Sequence, residues 1–271
     1  MAISDISLTA GMRSNLQTMQ KTSELLNRTQ ERLSSGKKVN SALDNPTNYF
    51  AAQSYGQRAG DLDGRKDGMS EAVQQVKAAN AGITAITSLI ESAKGLASSA
   101  LSTSNTTSRA SLAGQYDTLR GQIDKLASDS SYGGKNLLQN QNVTVNFNED
   151  GTSNLSVSGF SANSTGLSLT ANSANWSADS DITTDSGKMD ASVTTLRSKT
   201  QTLSANLNII TTRQDFTSSM ISTLQQGSDN LTLADMNNEG ANMLMLQTRQ
   251  SLGTTALSLS SQAAQSILKL F

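Results

Sequence analysis

The chain has 271 residues, with 21 Lys and Arg against 22 Asp and Glu, one Pro, no Cys, no His and 4% aromatic residues. Without His or Cys there is no Ser-His-Asp or Cys-His triad, no Cys/His zinc site, no disulfide and no His- or Cys-ligated haem. A net charge of −1 does not supply the basic face that a nucleic-acid protein needs, and a hydrophobic fraction of 35% is low beside the roughly 45–50% of globular domains.

The first residues, Met1 to Leu8, carry neither a basic nor an apolar leader region, and no stretch approaches the roughly 18 apolar residues of a membrane span. From there Met12, Met19, Leu26 and Leu33 recur every seven positions, with Leu16 offset by four, which predicts a helix with a coiled-coil seam. The alternate positions Ser23 and Gln30 are polar, so the stripe is too thin to hold an isolated helix and requires a partner. A second helix is expected to open at Asp44-Asn45-Pro46, where Asp or Asn caps and Pro occupies a first-turn position. Its seam, Met69, Val76, Ile83, Ile90 and Ala97 with Val73 and Leu101, carries it to about Leu101, roughly 80 Å at about 1.5 Å per residue.

Asn105-Thr106-Thr107-Ser108 interrupts it, and Leu112, Tyr116, Leu119, Ile123 and Leu126 mark a shorter amphipathic helix that ends before Gly133-Gly134. The period then changes to two. Val143, Val145 and Phe147, the turn Asn148-Glu149-Asp150-Gly151, then Leu155 and Val157, read as a β-hairpin, and Leu167 with Leu169 suggests a further strand. A polar stretch to about Gly187 reads as an exposed, irregular cap. Val193, Leu196, Leu203, Leu207, Ile210, Ile221 and Leu224 predict a second long helix, and the last thirty residues repeat the opening signature. There Met245, Leu252 and Leu259 form one series, and Ala256, Ala263 and Leu270 the other. The expected fold is mainly α: a long antiparallel helical bundle or coiled-coil rod with a small β-hairpin cap and paired N- and C-termini.

Candidate chemistry is sparse. Asp179, Asp181, Asp185 and Gly187 do not have the spacing of a helix-loop-helix calcium site, and Ser34-Ser35-Gly36-Lys37-Lys38 lacks the phosphate-loop pattern and follows a helix, so it reads as a basic hinge. Asn27-Arg28-Thr29, Asn105-Thr106-Thr107 and Asn142-Val143-Thr144 match the N-glycosylation pattern, as composition alone produces in so Ser-, Thr- and Asn-rich a chain. Met236, Met243 and Met245 stand at helical spacing beside leucines and read as packing residues, and the basic excess of the first segment as a solvated or partner-facing surface. No catalytic, metal or cofactor-binding residue is assigned.

Arg32-Leu33-Ser34-Ser35-Gly36-Lys37-Lys38-Val39-Asn40-Ser41-Ala42, then Asp44-Asn45-Pro46, together with Ala234-Asp235-Met236, Glu239, Gln262-Ala263 and the closing Ile267-Leu268-Lys269-Leu270-Phe271, resemble the two ends of a bacterial flagellin. The likeness covers about the first 140 and last 80 residues and is that of the short flagellins, which lack inserted outer domains. It implies an exported, extracellular subunit that polymerises with many copies of itself into the flagellar filament used as a motility propeller, with no enzymatic activity, cofactor, nucleic acid or membrane span.

On the same resemblance residues 1–43 and 229–271 are the two halves of an inner coiled coil. Residues 44–135 are the N-terminal helices of a rod, 136–187 its exposed β-rich cap and 188–228 its C-terminal helix. Polymerisation residues are then Met12, Leu16, Met19, Leu26, Leu33, Met245, Leu252, Ala256, Leu259, Ala263, Ile267, Leu270 and Phe271, and the hinge is Ser34, Ser35, Gly36, Lys37 and Asn40. Further implied partners are hook-associated junction and cap proteins, the flagellar export apparatus with its chaperone, and other flagellin isoforms. Flagellins detected by the innate Toll-like receptor present an Arg-Glu-Leu run on the rod helix, where this chain has Lys94-Gly95-Leu96, so receptor-facing residues are expected there with weak signalling. A hook–filament junction protein of the same export system is the alternative. An inserted zinc protease, the enzyme reading in this family, requires histidines that the chain lacks.

Overall fold

The computed structural model describes residues 10–268. Five helices carry the described residues: α1 (Ala10–Ser35), α2 (Pro46–Leu101), α3 (Thr106–Asp129), α4 (Asp179–Thr232) and α5 (Met236–Leu268). A two-stranded antiparallel hairpin, β1 (Val143–Asn146) and β2 (Asn154–Val157), and a single 3-10 turn at Ala174–Trp176 lie between α3 and α4. The described chain divides into two compact units, one of residues up to Gln57 with those from Leu224 onward, the other Arg58–Thr223.

In the Arg58–Thr223 unit, α2 buries Met69, Val76, Ile83, Ile90 and Ala97 at seven-residue spacing, as expected. A second row, Ala72, Ala79, Ile86, Ala93 and Ala100, completes an alternating three-four seam. Its alanines carried too little hydrophobicity to stand out in the sequence. Leu101, counted with this seam, is instead exposed at the helix end. Against it α4 sets Ile182, Met189, Leu196, Leu203, Ile210 and Thr217, again seven apart, and Gln214 Nε2 donates to Ser70 Oγ at 2.7 Å. Gly82 has a steric reason: a Cβ there would lie 2.2 Å from Ser130 Oγ and 2.7 Å from Leu138 Cδ1.

Helix boundaries follow local chemistry. Asn45 Oδ1 accepts from the Asn48 amide, capping α2 with Pro46 in the first turn. Asn105 caps α3 by accepting from Ser108 N. α4 opens at Asp179, inside the span read as irregular cap, because Asp179 and Asp181 favour a helix N-terminus and Asp181 Oδ2 accepts from the Ala178 amide. Buried Arg109 joins the two helix ends nearest it, donating to the carbonyls of Ala100, Thr103 and Ser177 and pairing with Asp179.

The hairpin pairs Val143 with Val157 and Val145 with Leu155, burying Val143, Val145, Phe147 and Val157. Leu167 and Leu169 are buried but form no strand. Their amides donate locally, to Asn163 O and Ser164 O, and Ser168 between them has φ +58°, so the backbone coils instead of extending. Asp124 of α3 fixes this coil by accepting from Ser164 N and Oγ.

Beyond it, Ala174, Asn175 and Trp176 stand at φ +46°, +52° and +58°, a left-handed turn that costs roughly 1–2 kcal/mol per residue. The turn is held from outside. Asp185 of α4 accepts from Ser173 N, Ser173 Oγ and Trp176 Nε1, and Asp117 of α3 accepts from Asn172 N and Nδ2. Trp176 packs beside Tyr116, whose hydroxyl donates to Thr170 O.

Candidate assembly surface

Helices α1 and α5 lie antiparallel, since Arg32 near the end of α1 pairs with Glu239 near the start of α5 at 2.9 Å, while Met12 lines a cleft with Leu257 and Ser261. The side chains that α1 turns away from solvent include Met12, Asn15, Met19, Thr22, Leu26, Thr29 and Leu33. The seven-residue series read from the sequence is therefore on this seam. Its companion row is Asn15, Thr22 and Thr29, not the row of Leu16, Ser23 and Gln30, and Leu16 faces outward at 39% exposure. Thr22 tolerates burial because its hydroxyl donates to Thr18 O at 2.8 Å.

On α5 the shielded residues include Glu239, Met243, Leu246, Gln250, Gly253, Leu257 and Ser261. A Cβ on Gly253 would lie 3.0 Å from Met19 Cγ, so the glycine marks a close approach of the two helices. Met245, Leu252 and Leu259, expected in the seam between the ends, instead point out of it at 52%, 66% and 62% exposure, as do Ala256 and Ala263. The reason is register: they recur every seven residues, but one position before Leu246, Gly253 and the residues that α1 covers. Leu244 and Met236 are exposed too. The Ile267 side chain, Leu270 and Phe271 lie outside the described residues.

The segment between α1 and α2 is a tied loop. Gly36, at φ +71°, ends α1 with its amide on Arg32 O at 2.8 Å. Lys37 bridges Leu233, Lys38 and Val39 amides donate to Thr232 O, and Ala234 N donates back to Gly36 O. Asp44 Oδ2 then accepts from the amides of Asn40 and Ser41, and these amides hold its carboxyl below the ordinary 3.8. Of the hinge residues read from the sequence, Ser34, Ser35 and Lys37 are exposed, and Gly36 and Asn40 are half-buried. The Leu43 side chain beyond them is 96% exposed, a feature that no periodicity in the sequence marked.

In the other unit, Lys94 pairs with Asp190 at 2.8 Å and Glu91 at 3.5 Å, and the Asp190 bond is the main cause of its raised pKa. Gly95 is exposed, and Leu96 packs against the core. No cluster of three or more acidic groups of metal-binding geometry occurs among the described residues, and no helix among them is long and apolar enough to cross a membrane.

Residues 6–143 match the family model for the bacterial flagellin N-terminal helical region. Flagellins FljM and FljK of Caulobacter vibrioides are each 32% identical to this chain, with all of both chains covered. A flagellin of Brucella melitensis is 26% identical over 94% of this chain and 95% of its own. The crystal structure of Bacillus cereus flagellin aligns at a TM-score of 0.49 and 17% identity, covering 55% of this chain and 88% of that one. Full-length identity with filament subunits decides between filament and junction protein. The chain belongs to the bacterial flagellins, the non-enzymatic structural subunits that polymerise into the extracellular flagellar filament.

Proposed function

We propose that the outward row of α5, Met245, Leu252, Ala256, Leu259 and Ala263, is the surface on which neighbouring subunits pack in the inner layer of the filament. Exposure carries the reading: three large apolar side chains more than half open to water lie along one line of one helix. Burying each such side chain is worth about 1.5–3 kcal/mol, and only another subunit supplies the cover. Met12, Leu16, Met19, Leu26 and Leu33 on α1, and Ile267, Leu270 and Phe271 at the chain end, complete the same inner coiled coil, with Ser34, Ser35, Gly36, Lys37 and Asn40 as its hinge. Residues 1–43 and 229–271 then make the inner layer, and 44–135, 136–187 and 188–228 the rod helices and exposed cap.

The same reading gives the subunit its other partners: the export apparatus and chaperone before assembly, the hook-associated junction and cap proteins at the filament ends, and other flagellins along it. Lys94, already paired to two carboxylates, has no fork of donors to offer a receptor, which supports weak innate signalling from Lys94-Gly95-Leu96. A reporter-cell response equal to that of an Arg-Glu-Leu flagellin refutes that part. Leu252→Asp tests the assembly surface: its monomer keeps wild-type helicity while seeded filament extension fails. Normal extension by this variant overturns the assignment.

A further inference from the structure

Leu43 is the most exposed large hydrophobic side chain among the described residues, at 96%. A single exposed leucine needs no explanation in itself; this one is held out by a fixed loop. Its amide donates to Ser41 Oγ, the two preceding turns are closed by Asp44 Oδ2, and the loop's start is bonded to Thr232 and Ala234. Asp44 stays ionised and exposed beside the tip, its Oδ2 held by these amides, and the Leu43 isobutyl group projects from a hydrogen-bonded backbone. Pre-ordering of this kind removes the entropy that docking otherwise costs.

The same unit carries a complementary concavity. Between α1 and α5, Met12, Leu16 and Leu257 with Thr254, Ser258 and Ser261 line an open cleft of about 340 Å³, with no charged side chain among the described lining residues. An apolar cavity of about 150 Å³ already holds a benzene ring, so an isobutyl group fits with room for part of its loop.

Leu43 cannot reach the cleft of its own chain. The loop is tied at the C-terminal end of α1 and the N-terminal end of α5, and the cleft lies at the opposite end of both. From Met12 to Ser35 along α1 is about 35 Å, and from Met236 to Leu257 along α5 about 32 Å, at about 1.5 Å per residue. A knob at one end of the α1/α5 pair and its socket at the other define a heterologous contact, which propagates from copy to copy and does not close on itself. That is the contact type an open helical polymer requires.

We propose that Leu43 of each subunit seats in the α1/α5 cleft of a second copy of this chain, a head-to-tail contact of the filament. It rests on the flagellin assignment and is separate from the outward row of α5. The chain has no Cys, so introduced thiols report alone. Leu43→Cys is combined in turn with Leu16→Cys and with Leu257→Cys, and the polymers are oxidised with copper phenanthroline. A ladder of covalent multimers on a non-reducing gel is expected from filaments of at least one pair and not from dilute monomer or from Leu43→Cys alone. Filaments that form normally and give no ladder with either pair overturn the proposal, whereas wild-type protein that never forms filaments overturns the assembly reading instead. Leu43→Asp provides the second measurement. Its monomer melts as wild type, because the side chain has no internal contact to lose, and its critical concentration for seeded growth rises about tenfold or more, the equivalent of about 1.4 kcal/mol or more. An unchanged critical concentration also overturns the contact.

Discussion

Asp185 has no exposed surface and yet stays charged. Burial pushes its carboxyl up, but the Ser173 amide, the Trp176 indole, the Lys188 ammonium and the Ser173 hydroxyl together hold it below the ordinary 3.8. A carboxyl whose pKa is depressed on folding stabilises the native state above its unfolded pKa, and that stability is lost as pH falls through the folded value. Tyr116 works at the other end of the scale. Burial pushes its phenol up to about 12, with the Asp185 charge adding to the effect, so its contribution is intact below the ordinary 10 and is lost as pH rises through about 12. The cap is therefore most stable between these limits. Trp176 is the only tryptophan, and its emission should stay constant across that window, then shift red below the ordinary carboxylate range. Asp185→Asn should cost about 2–3 kcal/mol, the worth of charge-assisted hydrogen bonds left unmade, read as a lower melting temperature with an early red shift of Trp176. An unshifted melting curve would show that the left-handed turn holds without the carboxylate.

At the level of elements, the same substitution has opposite consequences at two places on α2. Gly82→Ala drives a methyl into Ser130 and Leu138, and overpacking of about 1–3 kcal/mol outweighs the roughly 1 kcal/mol of helix propensity gained. Gly95→Ala meets nothing within 4 Å and keeps the propensity gain, so its protein should melt higher and that of Gly82→Ala lower in thermal denaturation. These elements were unequally legible. The α2 and α4 seams are written in Met, Val, Ile and Leu and declare their spacing, and the hairpin declares itself by alternation around a Gly-bearing turn. The α1/α5 seam is written partly in Thr, Asn, Gln and Gly, while leucines and methionines occupy outward positions, so apolar periodicity marks the outer row of α5. The coil from 160 to 176 reads in the sequence as polar and irregular with one strand, and its actual course is hidden because the groups that fix it lie elsewhere in sequence: Asp117 and Asp124 of α3 some tens of residues before it and Asp185 on the helix that follows.

For the whole molecule, burial is divided unevenly. Nearly all the large, fully enclosed side chains belong to the Arg58–Thr223 unit, whereas α1 buries Met12, Thr22 and Thr29 and α5 buries Leu246 and Glu239. Hydrogen exchange on dilute monomer should accordingly find α2 from Met69, α3 and most of α4 slow and α1 and α5 fast, with α1 and α5 becoming slow in filaments. Deleting 259–271 removes Leu259 and the terminal apolar residues but no residue of the Arg58–Thr223 unit. The truncated protein should keep a cooperative melt near wild type and fail to extend seeds; extension at a normal rate would mean that the chain end is not an assembly element. The outward row of α5 also carries a thermal consequence. If subunits join by covering Met245, Leu252 and Leu259, association removes apolar surface from water and must lower the heat capacity. Titration calorimetry of seeded growth should then show heat that becomes more exothermic with rising temperature, and the polymer should shed subunits when chilled, as the entropic drive of water release fades.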